Sequence, residues 1–371
     1  NPPYLGNFDK EMGKFMTANY KDYKSDTFAA FMVRNAFFTQ EKGFMGFMTP
    51  FVWMFISSFE KLRKFVLTKT SIDSFVRLEY TAFYSSAIVP VCTFILKNNS
   101  ELSKKGIYIS LTEFKGSENQ APKTLEAIND KKCKWRYEAS SEDLKKIPGY
   151  PIAYWVSDRF RDLFKLEKKL GDVASPRQGM ATSDNKRFLR FWQEVSINRV
   201  GFGFTSREEA QESGLKWFPY NKGGAFRKWY GNNVYLVNWG NDGSAIKKTV
   251  CIKYPYLNGN PDFVVKNQQF YFNEGITWSK VTSGKINTRF FKKGFLFDSG
   301  AIEAFHKNRN KLIELQSYLN CVLANEGLKF LTPTLNFTIN ELKQLPYKPI
   351  TNPPTKQTIE ETAQTLISLS K

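Results

Sequence analysis

Two textures divide this chain, and the change between them limits the folds open to it. From Thr27 to Leu96 the apolar residues switch repeatedly between helical and strand spacing. Phe28, Phe31, Met32 and Phe37 predict a helix over Thr27–Gln40, stopped at Lys42-Gly43. Phe44–Met48 reads as a buried strand closed by Thr49-Pro50. Ser57–Leu67 reads as a helix, with Phe59, Leu62, Phe65 and Val66 on one face and Lys61, Arg63 and Lys64 elsewhere. Ser71–Leu78 and Ala87–Leu96 read as further strands. Such alternation predicts an α/β fold in which a largely parallel sheet carries helices on its faces.

The texture then changes. Residues 99–145 are polar and read as a peripheral segment with one or two helices, including Ser141–Lys146. Pro148-Gly149 breaks the chain, and Trp155, Phe160, Phe164 and Leu166 predict a helix over Ala153–Leu170. From residue 172 the apolar stretches are short: Arg199–Phe204, Tyr235–Trp239, Val250–Lys253, Phe270–Phe272 and Gly294–Phe297. Dense Gly, Asn and aromatic residues around them predict a mixed, mostly β domain with long connections. Helices are expected at Asn308–Ala324, Thr338–Gln344 and Ile359–Leu369. The reading thus divides the chain into 1–98, 99–174, 175–345 and a tail, 346–371.

Charge separates the halves further. Net charge is +19, with +7 in residues 1–174, +11 in 175–345 and +1 in the tail. A basic excess of this kind points to a polyanionic partner, although a solubilising surface gives the same count. The four cysteines, Cys92, Cys133, Cys251 and Cys321, have neither metal-ligand spacing nor the density of a disulfide framework. A reducing, cytoplasmic home follows. With His306 the only histidine, a protein-built zinc site and Ser-His-Asp catalysis are disfavoured; metal ligands: none. Lys307, Arg309 and Lys311 around it predict an exposed helix start. The run Phe44–Phe59 is short for a membrane span of about 20 residues, and no signal peptide is visible. Asp262 has no Glu-x-Lys partner nearby, so no nuclease site is assigned.

The chain opens on Asn1-Pro2-Pro3-Tyr4. An aromatic exocyclic amine is a poor nucleophile because its lone pair is delocalised. Two acceptors aimed at its hydrogens localise that pair and direct it at a methyl sulfonium. An amide oxygen and a backbone carbonyl suffice, and proline stiffens the mount by fixing φ. A neighbouring aromatic ring can stack on the base, which must first leave its duplex. Asn1, Pro2, Pro3 and Tyr4 carry these parts in order. Alone, the four residues also fit a rigid turn.

In its setting the motif resembles that of the gamma-type amino-methyltransferases, where it ends the fourth strand of a seven-stranded sheet. Ser25–Phe31 (SDTFAAF) is similar to the helix after the motif, and Gly43–Pro50 (GFMGFMTP) to the next strand and turn. Further on, Gly179–Phe188 (GMATSDNKRF), Arg190-Phe191-Trp192, Trp217–Gly224 (WFPYNKGG), Phe226–Tyr230 (FRKWY), Gly275–Ser279 (GITWS) and Thr332–Phe337 (TPTLNF) resemble the adenine-specific N6-methyltransferases of BREX-type phage defence. The resemblance covers nearly the whole chain. It implies a partial, truncated Rossmann-like methyltransferase sheet over 1–98, then a helical connection and a mixed α+β target-recognition domain. It implies double-stranded DNA as partner, together with other phage-defence subunits, and no membrane. It implies S-adenosylmethionine as cofactor of the full-length protein. The family's Gly-rich cofactor turn lies upstream of the motif and has no counterpart here. The chain is therefore expected to be a C-terminal fragment that binds no cofactor, is inactive alone and exposes a sheet edge.

Three basic–aromatic groups are candidate DNA contacts: Lys186, Arg187 and Arg190 with Trp192; Lys222, Arg227 and Lys228 with Trp229 and Tyr230; and Lys285, Arg289, Lys292 and Lys293. Gly223-Gly224 allows a tight turn or a close backbone approach. Two other functions stay open: methylation of another planar amine, in RNA or on a protein glutamine, and a non-catalytic DNA-binding specificity module.

Overall fold

The fold comes from a computed structural model that describes residues 1–82, 90–166, 168–281, 285–331, 337 and 339–371. The start of the strand expected at Ala87–Leu96, most of Thr332–Phe337 and the first residue of Thr338–Gln344 lie outside them. The chain divides into two compact units, Asn1–Lys165 and Leu166–Lys371.

The first unit begins with α1 (Lys10–Asn19) and α2 (Thr27–Phe38), capped by the side chains of Asp9 and Asp26. β1 (Phe44–Pro50), α3 (Glu60–Lys69), β2 (Ser71–Arg77), β3 (Val91–Lys97) and β4 (Lys105–Ser110) follow. α4 (Ser117–Asn129), β5 (Arg136–Ser140), α5 (Ser141–Lys145) and α6 (Asp158–Leu163) complete it. The five strands lie in the order β1-β3-β2-β4-β5, with β1 and β5 at the edges. This corrects the largely parallel sheet expected from sequence. β3 pairs antiparallel with both β1 and β2, and β5 antiparallel with β4; only β2 and β4 pair in parallel. The strand–helix–strand alternation does give β1 and β2 the same direction, but β3 inserts between them. Strands β4 and β5 also make residues 105–140 part of the sheet rather than a peripheral segment.

Aromatic rings fill this core. Phe75 stacks on Phe94 at 5.5 Å, and Tyr108 on Tyr154 at 4.7 Å. Tyr154 explains why Ala153–Leu170 is not one helix. Its ring is drawn into the core after Pro151, and the helix starts only at Asp158, capped by Ser157, whose hydroxyl accepts from the Phe160 N–H. Arg63 on α3 is buried, and its guanidinium donates to the carbonyls of Gly149 (2.8 Å), Trp53 (2.9 Å) and Ile56 (2.7 Å). Burial lowers its pKa to about 10 and leaves it charged at neutral pH.

The second unit runs α7 (Leu170–Val173), β6 (Ser175–Gln178), α8 (Asn185–Phe188), β7 (Leu189–Phe191), α9 (Arg207–Glu212), β8 (Trp217–Asn221), β9 (Tyr235–Asn238) and α10 (Gly240–Lys253). Next come β10 (Gly275–Ser279), β11 (Arg289–Phe291), β12 (Leu296–Phe297), β13 (Ala301–Phe305), α11 (Arg309–Asn320), α12 (Val322–Leu331), α13 (Ile339–Lys343) and α14 (Pro353–Leu369). One sheet has the order β11-β10-β13-β6 and is antiparallel throughout. The other, β12-β8-β9-β7, is antiparallel except for β12 against β8. Val250–Lys253, expected as a strand, is the last turn of α10, where Ile246 and Val250 both reach the core. Arg199–Phe204 and Phe270–Phe272 form irregular connections instead of strands. The helix expected at Asn308–Ala324 is two helices, broken at the extended Cys321. His306 lies just ahead of α11, half-buried, and its Nδ1 accepts from the Asn308 N–H at 2.9 Å.

Candidate functional site

Asn1-Pro2-Pro3-Tyr4 crosses the start of α2 and is tied there by two residues. The Leu5 N–H donates to Asp26 Oδ1 at 2.9 Å, and the Thr27 N–H donates to the Leu5 carbonyl at 3.1 Å. The Thr27 hydroxyl donates to the Pro3 carbonyl at 2.6 Å. Asp26 Oδ1 also accepts from the Phe28 N–H, so one carboxylate caps the helix and holds the motif. The Tyr4 ring meets buried Phe28 edge-on, with centroids 6.3 Å apart, and remains 42% exposed. Its hydroxyl lies 2.9 Å from Asn1 Oδ1 and 3.3 Å from the Met48 carbonyl on β1. Partial burial, with Cys92 and Asp26 nearby, raises the Tyr4 pKa, so the phenol keeps its proton and donates.

This arrangement separates the two proline carbonyls. The Pro3 oxygen is taken by Thr27, whereas no donor reaches the Pro2 oxygen among the described residues. Asn1 Oδ1 has a second lone pair beside the one facing Tyr4. An amide oxygen and a carbonyl on a stiff mount can together accept both hydrogens of a planar amine. Asp26 and Thr27 were not singled out from the sequence as holders of the motif. The capping pattern Asp-Thr-Phe was visible, but not the strand of chain it would grip.

One groove near the motif does not by itself fit S-adenosylmethionine. The groove closest in sequence to the motif, about 290 Å³ between α1 and α2, is lined by Met12, Phe15, Met16, Tyr20, Thr27, Ala30, Phe31 and Arg34. It offers no carboxylate for ribose hydroxyls, the usual partner of a bound nucleoside.

In the second unit, the three basic groups are linked by one connection, residues 222–234 between β8 and β9. Tyr235 at the start of β9 stacks on Phe191 at 5.0 Å, and Lys222 Nζ lies 5.6 Å from the same ring. That joins the first group to the second. The Trp229 N–H donates to the Thr288 carbonyl, and the Phe290 N–H to the Trp229 carbonyl, which joins the second to the third. Lys186, Arg187, Trp192, Arg227, Lys285, Lys292 and Lys293 are exposed. Arg190 is half-buried and donates to the carbonyls of Lys186 and Leu189. Lys228 donates to the Asn320 carbonyl at 3.0 Å, and Trp229 and Tyr230 pack against the core beneath. Arg289 corrects the sequence grouping: it is 1% exposed and donates to Asn287 Oδ1 at 2.7 Å. Burial lowers its pKa to about 10. Phe191, Phe202 and Phe226 are exposed as well, which their aromatic character alone does not reveal.

Electrostatically coupled to Arg289 is Glu303, fully buried, with Oε1 accepting from Asn221 Nδ2 at 2.7 Å and Oε2 without a hydrogen-bond partner among the described residues. Burial raises its pKa far above the usual carboxylate range.

Comparison with known proteins adds kinship. The Eco57I restriction-modification methylase family matches residues 1–83. The chain is 34% identical over 376 residues to the adenine-specific methyltransferase PglX of Lacticaseibacillus casei (strain Zhang), an alignment covering all of this chain and 30% of that protein. It is 32% identical over 353 residues to the adenine-specific methyltransferase BrxX of Escherichia coli O9:H4 (strain HS), covering 93% of this chain and 27% of that one. The chain thus spans under a third of the length of these relatives. The type IIL restriction-modification enzyme MmeI, solved in complex with DNA, shares the fold at a TM-score of 0.59 and 12% identity, over 99% of this chain and 48% of that one.

Proposed function

We propose, from a chain homologous to the adenine-specific methyltransferases PglX and BrxX, that these residues carry two parts of a site-specific DNA adenine-N6 methyltransferase. The first unit supplies the groups that orient the flipped adenine. The Asn1 amide oxygen and the Pro2 carbonyl accept the two N6 hydrogens, and Tyr4 stacks on the base. The second unit holds the duplex and reads its sequence. The methyl donor, S-adenosylmethionine, is bound by parts of the longer protein outside these residues. The 371-residue chain alone is accordingly a DNA binder that does not transfer methyl groups. Other phage-defence subunits are its proposed partners.

The observation that carries this reading is the tether from Asp26 and Thr27, which occupies the Pro3 carbonyl and leaves the Pro2 carbonyl and Asn1 available. A second reading, a DNA-binding specificity module without catalysis, is favoured by the +11 charge of residues 175–345. Two measurements separate them: gel-shift of duplex DNA by the isolated chain without cofactor, and labelled-methyl transfer to DNA by the longer protein. Binding by the former and N6-methyladenine from the latter are expected. Methyl transfer by the isolated chain, or no duplex binding by it, would overturn the division of labour. Binding without any methylation by the longer protein would favour the second reading.

A further inference from the structure

The connection between β8 and β9 is held like a built feature rather than a slack loop. Ser279, 4% exposed on β10, engages both ends of one peptide unit pair: its hydroxyl oxygen lies 3.2 Å from the Gly224 N–H and 3.3 Å from the Gly224 carbonyl. Asn232 Nδ2 donates to the Ala225 carbonyl at 2.9 Å and closes the loop on itself. Lys228 is anchored on the Asn320 carbonyl, and the Trp229 carbonyl accepts from both Gln316 Nε2 (2.9 Å) and the Phe290 N–H (2.7 Å). Trp229 sits at φ 72°, a left-handed conformation unusual for an aromatic residue and sustained by these bonds.

Between the anchors stand four exposed residues, Gly224, Ala225, Phe226 and Arg227. Phe226 is 57% exposed and has no ring partner among the described residues. Arg227 has no hydrogen-bond or ion-pair partner among them either. Its side chain folds over Gly231, where a Cβ would come within 2.9 Å of Arg227 Cδ and where φ is +119°. Glycine at 231 both permits that backbone and leaves the guanidinium its path. An arginine free of carboxylates, on a preordered loop, is suited to a planar acceptor pair such as guanine O6 and N7. A bare phenyl ring beside it suits a thymine methyl or an opened base step.

We propose that Phe226 and Arg227 are base-reading side chains of this unit, presented to duplex DNA by a loop whose shape is set before DNA arrives. The inference rests on the proposed DNA-reading role of residues 166–371 and names the residues that set sequence preference within it.

The test uses the longer protein that contains this chain. Mapping N6-methyladenine in a host genome with the wild-type protein defines the methylated motif. Duplexes carrying that motif, and each single base-pair change in it, are then bound to wild type, R227A and F226A. Both side chains are exposed, so an unchanged melting midpoint confirms that each variant is folded. R227A is expected to lose discrimination at one base pair, by roughly 5- to 150-fold, with its salt slope kept. F226A is expected to lose discrimination at an adjacent step. R227A that weakens all duplexes equally and lowers the salt slope by about one would make Arg227 a phosphate contact and overturn the proposal. So would wild-type discrimination at every position in both variants. A wild-type protein that binds no duplex at all would instead sink the underlying DNA-reading function, a result distinct from either.

Discussion

Replacing Asp26 with alanine removes two backbone N–H hydrogen bonds accepted by one oxygen. Loss of the α2 cap costs about 1 kcal/mol, and loss of the bond to the Leu5 N–H about another 1 kcal/mol. Because the two share an atom and lie near solvent, the combined cost is about 1.5–2 kcal/mol rather than a strict sum. For a domain of this size that lowers the melting midpoint by roughly 3–8 °C. Thr27→Val removes only the bond to the Pro3 carbonyl and should cost about 1 kcal/mol or less. The functional loss should be larger than the thermal one. A motif freed from its tether misplaces Asn1 and Pro2, and misplacement near 1 Å costs about a hundredfold in rate. Calorimetry paired with single-turnover methyl transfer by the longer protein measures both. D26A with wild-type turnover would refute the claim that this carboxylate positions the motif, whatever its melting point.

Three further outcomes follow from burial. Arg63→Leu leaves three carbonyls without their donor and should cost about 3–5 kcal/mol, read by urea unfolding; a loss under about 1 kcal/mol would contradict the assigned network. Glu303 has a folded-state pKa above its unfolded value, so the stability it lends is complete below the unfolded pKa and is lost as pH rises through the folded one. Glu303→Gln should therefore gain on wild type in melting midpoint between pH 5 and pH 8, and a pH-independent difference would count against a neutral buried carboxyl. Gly179→Ala places a Cβ 1.9 Å from the Phe297 carbonyl oxygen and should destabilise the second unit by about 2–3 kcal/mol in the same unfolding assay; an unchanged stability would contradict this close approach.

Much of the first unit was legible because its periods are clean. Thr27–Phe38 and Phe44–Pro50 come within two residues of the helix and strand read from spacing alone. Strand order was not legible: hydrophobic alternation says that β1, β2 and β3 exist, but not that β3 inserts between the other two. Short windows failed for a related reason. Val250–Lys253 is too brief to tell a strand from the end of a helix, and the helical spacing of Val250 with Ile246 supplies the missing period only once α10 is known. At the site, the residue types of the motif were plain, but the grip of Asp26 on Leu5, 21 residues away, depends on a long-range contact. Among the basic groups, sequence could not distinguish exposed Arg227 from buried Arg289, because charge alone does not report burial.

The central claim is that Asn1 and its neighbours orient an adenine that the second unit has selected. The most direct test compares wild type with Asn1→Ala in the longer protein, measuring N6-methyladenine at a fixed DNA site alongside duplex affinity. The account predicts that methylation is lost, by about a hundredfold or more, while affinity for the duplex stays within a few-fold. Undiminished methylation by Asn1→Ala would contradict it.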